Sequence, residues 1–349
     1  MLIWERSRVR SAMSLLSRLV NAPGPSGYEE PVREIVVEEL EEMGFEPVVD
    51  SLGNVYVVLG EGRPLMVLAA HMDEVGFVVR YIDERGFLRV APLGSVSPAV
   101  ALGKEVLVLG SKGEVLGVFG AQPPHVAQQA QPSFEDLFVD VGASSRAEAR
   151  AMGIDVGTPI SFLGNYREAG DRVIGKALDD RVGCYVLLEA LRGVRSVEGG
   201  SVAVAFTVQE EVGLRGASAL AHELEPNYAI AIEGTIANDV PGVPEDRSVT
   251  VAGRGPAIRV MDRGMIASPR LVNHLRSLAE RIGVPYQLQV SPYSATDSGS
   301  FVTRGAEATA ISIPVRYIHA PASLAFKRDI EAAVKLVSAL LREPWPPEA

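Results

Sequence analysis

The stretch Val204-Ala-Phe-Thr-Val-Gln-Glu-Glu-Val-Gly213 decides the fold, because an apolar run of strand character ends there in two adjacent carboxylates, Glu210 and Glu211. Three other strand-like runs have the same design. They are residues 65–73, ending in His71 and Asp73; residues 228–233, ending in Glu233; and residues 310–319, ending in His319. In open α/β sheets, ligands bind where neighbouring parallel strands end, since their carboxyl ends share one crevice. The sequence therefore predicts a polar site at that edge of a sheet.

A further candidate, Asp179, comes from a different kind of segment. It lies in Leu178-Asp179-Asp180-Arg181, just before a helical pattern over residues 182–191. A helix N-terminus favours negative charge. Asp179 is therefore expected to join the same site.

Taken as chemistry, the histidines and acids of this set offer five nitrogen and oxygen ligands. That number exceeds the four of a tetrahedral zinc site and suits two metal ions that share one carboxylate. Two such ions, roughly 3.5–4 Å apart, activate a bridging water and polarise a substrate carbonyl. One carboxylate of the Glu210–Glu211 pair then remains as a general base, since adjacent residues of an extended segment point to opposite sides.

Each residue taken alone also fits a plain structural role. His71 and His319 could be satisfied core or surface histidines, and Glu210 and Glu211 a solvated loop pair. The chain has only five histidines, however, and each of these two stands at the end of an apolar run. The other apolar runs of the set end in acids. The coincidence favours a site. The other histidines fit a structural role better: His125, His222 and His274.

The chain resembles the M42 family of dinuclear metallo-aminopeptidases, the group of tetrahedral and glutamyl aminopeptidases. Five blocks carry the resemblance, in order and over nearly the whole chain. They are Ala70-His-Met-Asp-Glu-Val-Gly76, Gly175-Lys-Ala-Leu-Asp-Asp-Arg181, Val208-Gln-Glu-Glu-Val-Gly-Leu-Arg-Gly-Ala217, Met261-Asp-Arg263 and Arg316-Tyr-Ile-His319.

The resemblance implies a role for each candidate. Asp179 would bridge two divalent metal ions, zinc or cobalt. His71 and Glu233 would complete the coordination of one ion, and Glu211 and His319 that of the other. Glu210 would be the general base. Asp73 would orient the imidazole of His71, a partner that a metal-bound histidine needs.

Two finer expectations follow from the same resemblance. The peptide bond between Asp179 and Asp180 is expected to be cis. The position of Glu233 is usually Asp in the family, so its carboxylate stands one methylene further out. This departure leaves metal identity and geometry open, more than the class of reaction.

Composition excludes several kinds of protein. The formal net charge of −11 argues against a nucleic-acid backbone as partner, and no run reaches the ~18 apolar residues of a membrane span. The single cysteine, Cys184, forbids an internal disulfide, which favours a reducing, cytoplasmic location. Residues 2–20 predict an amphipathic helix rather than a signal peptide.

The order of the patterns predicts an α/β fold with a mixed, mostly parallel sheet and helices on both faces. After the first helix, a second is expected from about Gly27 to Gly44, and a hairpin over residues 45–59. Residues 76–165 then carry short β-type runs with no long helix, which predicts a small β-barrel-like module. The catalytic domain is accordingly assigned to residues 1–75 and 166–349, with an inserted domain at residues 76–165.

The inserted domain is expected to govern assembly. The resemblance implies dimerisation through it and a homo-oligomer, a tetrahedral dodecamer with inward-facing active sites that admits peptides and excludes folded proteins. The apolar run Phe77-Val-Val79 is expected to lie exposed and to be buried against another subunit. Residues 120–135, rich in Pro and Gln, are expected to be mobile or ordered by a partner subunit.

Two functions from different classes remain open. One is an aminopeptidase that hydrolyses N-terminal residues from peptides; the other is a non-catalytic metal-binding assembly protein, which the presence of Glu210 disfavours. Among enzymes, a dinuclear site alone also suits a carboxypeptidase or an amide deacylase. A glycosidase would need two carboxylates around a sugar bond without metal ligands, and the two histidines argue against it.

Overall fold

The computed structural model describes residues 14–121 and 133–347. A helix spans Leu15–Asn21. Most of the helix expected over residues 2–20, His125 and most of the segment 120–135 lie outside the described residues.

Helices and strands alternate through most of this part of the chain. The helices are α1 (Leu15–Asn21), α2 (Glu30–Glu42), α3 (Pro98–Ala101), α4 (Arg146–Ala151), α5 (Leu178–Leu191), α6 (Arg215–Leu224), α7 (Pro269–Ile282), α8 (Ser298–Val302) and α9 (Lys327–Arg342), with a 3-10 turn at Glu245–Arg247. The strands are β1 (Val48–Val49), β2 (Val55–Gly60), β3 (Leu65–His71), β4 (Gly76–Ile82), β5 (Leu88–Leu93), β6 (Glu105–Gly110), β7 (Gly113–Gly120), β8 (Phe138–Asp140), β9 (Pro159–Phe162), β10 (Arg167–Ala169), β11 (Arg172–Gly175), β12 (Ser201–Thr207), β13 (Tyr228–Ile236), β14 (Ala257–Asp262), β15 (Gln287–Ser291), β16 (Glu307–Val315) and β17 (Ser323–Phe326).

The described residues form a main sheet of eight strands in the order β1-β2-β12-β3-β13-β16-β14-β15. The central strands β12, β3, β13 and β16 pair in parallel, so their carboxyl ends meet at one edge. Antiparallel pairs flank them, between β2 and β12 on one side and between β14 and β16 on the other. The predicted mixed sheet is confirmed.

Strand β12 shows why helices cover both faces of this sheet. Its side chains alternate, as in any strand, so Val202, Val204 and Phe206 share one face and Ala203 and Ala205 the other. The larger side chains pack into a core with α1, α2, α5, α7 and α9, while the alanines meet α6 and α8. The sequence pattern therefore sets a thick layer on one face and a close-packed layer on the other.

Six strands of the described region, β4-β5-β8-β7-β6-β9, close into a barrel. Phe77 lies at its centre, with ring centroids 4.7 Å from Phe119 and 5.5 Å from Phe162 in edge-on contact. The prediction that Phe77-Val-Val79 is exposed is wrong, because Phe77 and Val79 point inward and are 0% and 1% exposed. Alternation along β4 sends them into the barrel's own core.

A small antiparallel sheet, β10-β11-β17, joins the segment after the barrel to the segment before α9. Strand β11 leads into Asp179, and β17 follows the loop that carries His319. Pairing of β11 with β17 therefore brings these two sequence-distant loops together. Within residues 14–121 and 133–347, no helix is both long enough and apolar enough to cross a membrane.

Candidate metal centre

The predicted residues reach the carboxyl edge of the central strands by different routes. His71 is the last residue of β3, as expected. Glu233 lies inside β13, three residues before its end, and His319 follows β16 by four residues. Glu210 and Glu211 follow β12, which ends at Thr207. The apolar runs located the edge correctly, whereas most of the side chains are placed by loops.

Asp179 lies between the two histidines, with one carboxylate oxygen towards each. Its Oδ1 is 3.5 Å from Nε2 of His71, and its Oδ2 is 3.4 Å from Nε2 of His319. The same nitrogen of His319 is 3.3 Å from Oε1 of Glu211. Ligand atoms of Asp179, Glu211 and His319 all lie within 4.8 Å of one another, a spacing that can hold a metal ion.

Each imidazole has an acceptor behind it. Nδ1 of His71 lies 3.2 Å from the carbonyl oxygen of Asp73 and 3.4 Å from its Oδ1. Nδ1 of His319 lies 3.0 Å from the carbonyl oxygen of Ser95. A proton held on Nδ1 by such an acceptor leaves Nε2 as the free ligand atom. Both Nε2 atoms therefore point towards Asp179.

Asp73 faces His71 and also accepts hydrogen bonds from the backbone of the acidic pair. Its Oδ1 accepts the backbone N–H of Glu210 at 2.9 Å, and its Oδ2 accepts that of Glu211 at 3.1 Å and the hydroxyl of Ser26 at 2.6 Å. Burial disfavours its charge, yet hydrogen bonds from His71, Ser26 and the Glu210 N–H hold the pKa of Asp73 below its usual value. An ionised Asp73 thus fixes the backbone of the acidic pair.

The acidic pair does not lie on an extended strand. Gln209 has a left-handed backbone, with φ +56°, and the chain turns there between β12 and α6. The prediction that strand alternation separates Glu210 from Glu211 is therefore wrong in its reasoning. A turn orients the pair instead.

Asp180 anchors the segment that carries Asp179. The peptide bond between the two residues is cis, as expected. The buried carboxylate of Asp180 accepts backbone N–H groups of His71 at 3.0 Å, Gly183 at 2.9 Å and Gly234 at 3.0 Å. It thereby ties α5 to both β3 and β13, and Asp179 keeps a fixed position between them.

The site concentrates buried carboxyl groups, and burial disfavours their charge. Burial raises the pKa of Glu211 to about 7 and raises those of Glu210 and Glu233 well above the usual value. Burial opposes the charge of His319, but Asp179 and Glu211 raise its pKa to about 9. Oε1 of Glu211 accepts no hydrogen bond from the described residues. Carboxylate oxygens and imidazole nitrogens in such a cluster are the donors that divalent zinc-type ions take, so the residues fit a metal.

Glu233 has a cationic neighbour that the sequence analysis missed. Arg259 is 1% exposed, and its guanidinium lies 3.2 Å from Oε1 of Glu233 and 3.2 Å from Oδ2 of Asp262. An arginine inside the mostly apolar strand β14, three residues before Asp262, was the available signal, since a buried charge needs a partner.

These groups face one cavity of about 420 Å³. Besides the candidate ligands, its wall includes Arg263, Tyr293, Ala295 and Ile318. The volume suits a small ligand or a terminal side chain rather than a folded chain.

A mixed α/β sheet with histidines and acids gathered at its parallel carboxyl edge is an arrangement that can hold metal ions for hydrolysis. The chain belongs to the M42 peptidase family, since the family described as M42 glutamyl aminopeptidase matches residues 53–336. The resemblance noted from the sequence is thus confirmed, and the protein is an aminopeptidase by family.

Individual relatives agree over nearly their whole lengths. A lysyl aminopeptidase of Pyrococcus furiosus is 37% identical over 344 residues, 95% of this chain and 97% of that one. An aminopeptidase of Desulfurococcus kamchatkensis has a similar structure, with TM-score 0.90, 39% identity and coverage of 97% and 96%. The Pyrococcus horikoshii TET1 peptidase, which can assemble into a tetrahedron or a large octahedral shell, has TM-score 0.87, 35% identity and coverage of 94% and 98%.

Proposed function

We propose that this protein hydrolyses N-terminal residues from peptides with two divalent metal ions, zinc or cobalt, shared by Asp179. One observation carries the proposal: the two oxygens of Asp179 lie 3.5 and 3.4 Å from the Nε2 atoms of His71 and His319. His71 and Glu233 would complete one ion, and Glu211 and His319 the other.

The chemistry divides between the metals and the protein. Two bound ions would lower the pKa of a shared water and polarise the scissile carbonyl. Glu210 would accept a proton from that water at its carboxylate and pass it to the leaving amine. Its Oε2 lies 3.9 Å from Nε2 of His71, at the rim of the cluster.

Asp73 would support both parts of the site. It faces Nδ1 of His71, the ring nitrogen that does not face Asp179, and it accepts hydrogen bonds from the backbone N–H groups of Glu210 and Glu211. A related carboxypeptidase or amide deacylase would use the same metals and base. Family membership favours the aminopeptidase.

We also propose that residues 76–165 form a dimerisation and oligomerisation domain, and that residues 1–75 and 166–349 form the catalytic domain. The barrel carries large apolar side chains on its outer surface, among them Tyr81, Leu116 and Val118, which are 49%, 55% and 42% exposed. Such surface favours burial against another copy. The TET1 relative supports a homo-oligomer, and a tetrahedral dodecamer is the proposed form.

Substitution of Glu210 tests the catalytic assignment. Glu210→Gln should keep the fold and bound metal while the turnover of aminoacyl-anilides falls by ~10²–10⁴-fold, the contribution of a general base. Glu61→Gln, at an exposed position in the turn before β3, is the matched control. Turnover above one tenth of wild type at equal metal content would refute the role of Glu210. Cleavage of an N-acetylated anilide as fast as the free amine would favour a deacylase.

A further inference from the structure

Three consecutive backbone N–H groups, those of the acidic pair and of the residue before it, donate to buried carboxylates. Those of Glu210 and Glu211 donate to Asp73, as described above. The third, of Gln209, donates to Oε1 of Glu29 at 3.1 Å. Glu29 is only 4% exposed and lies 180 positions earlier in the chain. It is a buried acid that the proposed chemistry does not use.

Hydrogen bonds join the turn that carries Glu29 to the backbone next to Asp73. Oε1 of Glu29 also accepts the N–H of Gly27 at 2.6 Å, which folds the side chain back over its own turn. Just before this turn, Ser26 donates its N–H to the carbonyl of Glu74 at 3.2 Å, and Glu74 donates to Gly24 at 3.0 Å. The Ser26 hydroxyl reaches Oδ2 of Asp73. Residues 24–29 therefore form a backing for the turn at Gln209.

The turn needs such a backing because of its conformation. Gln209 has φ +56°, a region that a residue with a side chain keeps only where its surroundings hold it. Its carbonyl accepts the N–H of Arg215 at 3.2 Å, so both sides of this residue are tied by hydrogen bonds. A change in the Gln209 dihedrals would redirect the next side chain, that of Glu210.

The contact is one that a neutral acceptor can make. Burial and the nearby charge of Asp73 both raise the pKa of Glu29, so a negative charge at this position is disfavoured rather than required. A glutamine side chain has the same length and keeps an acceptor oxygen. An aspartate keeps the carboxylate but is one methylene shorter.

We propose that Glu29 is a positioning residue for Glu210: its Oε1 holds the Gln209 peptide in the left-handed turn and thereby sets the direction in which the Glu210 carboxylate enters the cavity. The inference rests on the proposed role of Glu210 as general base. It assigns Glu29 a hydrogen-bonding role and no contact with substrate.

The test compares Glu29→Ala, Glu29→Asp and Glu29→Gln in the full-length, metal-loaded enzyme, with Glu30→Ala as control. Glu30 is the next residue, and its side chain is 73% exposed. Ala and Asp should each lower kcat by about 10- to 100-fold, the effect of leaving the Gln209 N–H without its acceptor. KM and metal content should stay unchanged. Gln should retain most of the wild-type kcat, because it restores the acceptor.

The outcomes distinguish a hydrogen-bonding role, a positional role and a general structural role for Glu29. Equal losses in the Gln and Ala variants would overturn the hydrogen-bonding role, and wild-type kcat in the Asp variant would overturn the positional one. Loss of metal together with activity would show a general structural role instead. If the Ala variant does not fold, the Asp and Gln pair still decides. Full activity of Glu210→Gln would contradict the proposed function itself. An inactive Glu210→Gln together with a fully active Glu29→Asp would contradict only the positioning role of Glu29.

Discussion

Glu74 is the centre of a buried ionic cluster that joins the barrel to the segment carrying Asp179, and its substitution should cost much stability. Its Oε1 lies 2.5 Å from Nζ of Lys176 and 3.4 Å from the guanidinium of Arg181, and it accepts from Gly24 at 2.9 Å and from Ser161 of β9 at 3.1 Å. The side chains of Glu74, Lys176 and Arg181 are 2%, 1% and 0% exposed.

Glu74→Gln removes the charge and keeps the shape. Two buried cations then face only carbonyl and hydroxyl oxygens, such as those of Ala22 and Met72. Removing one partner of a buried ion pair costs ~3–5 kcal/mol, because it leaves an uncompensated buried charge. The remaining carbonyl acceptors favour the lower end of that range, so we expect a loss of about 3 kcal/mol in the free energy of unfolding.

Guanidinium denaturation at pH 7 measures this loss, from the midpoint and slope of the unfolding transition. Glu168→Gln is the control, because Glu168 pairs with Lys327 at the surface, with side chains 43% and 34% exposed. Exposed pairs contribute only ~0–1 kcal/mol. A Glu74→Gln variant no less stable than Glu168→Gln would refute the reasoning.

Two further predictions concern the loop of His319 and the thiol beside His71. Burial disfavours the charge of Asp239, yet hydrogen bonds from Arg316 at 2.9 and 2.6 Å hold its pKa below the usual 3.8. Asp239→Asn should therefore lower stability by ~1.5–3 kcal/mol at pH 7, with the difference shrinking as urea titrations move below pH ~4; a pH-independent difference would contradict it. Cys184 is buried, donates to the carbonyl of His71 at 3.2 Å and has a thiol pKa raised by burial. Mass spectrometry should find it unmodified by iodoacetamide at pH 8 unless denaturant is present, and rapid modification of the folded protein would count against this packing.

Sequence reasoning predicted the sheet well because burial leaves a direct pattern. Residues 202–206 and 65–70 are apolar throughout, and both strands are buried along their whole lengths, as strands covered on both faces must be. Parallel strands then bring their ends to one edge, so the edge at which the candidate residues gather followed from the strand pattern. The barrel followed from short β runs without a long helix between them.

The sequence could not show which way individual side chains turn. Phe77 and Val79 are inward because the barrel closes, a long-range event that an apolar run does not record. The left-handed turn at Gln209 depends on Glu29, 180 residues away in the chain, and nothing local to residues 209–211 indicates it. Arg259 was detectable in principle, since a buried charge within a mostly apolar strand demands a partner. Tertiary contacts decide such cases.

Metal counting tests most directly whether two metal ions share Asp179. After dialysis, plasma emission should find two ions per wild-type chain and almost none in Asp179→Asn, because loss of the shared carboxylate weakens both sites. His71→Ala and His319→Ala should each lose one ion preferentially, since each faces a different oxygen of Asp179. Circular dichroism should show all variants folded. Equal partial losses in all three variants, or one ion retained in Asp179→Asn, would contradict the shared site.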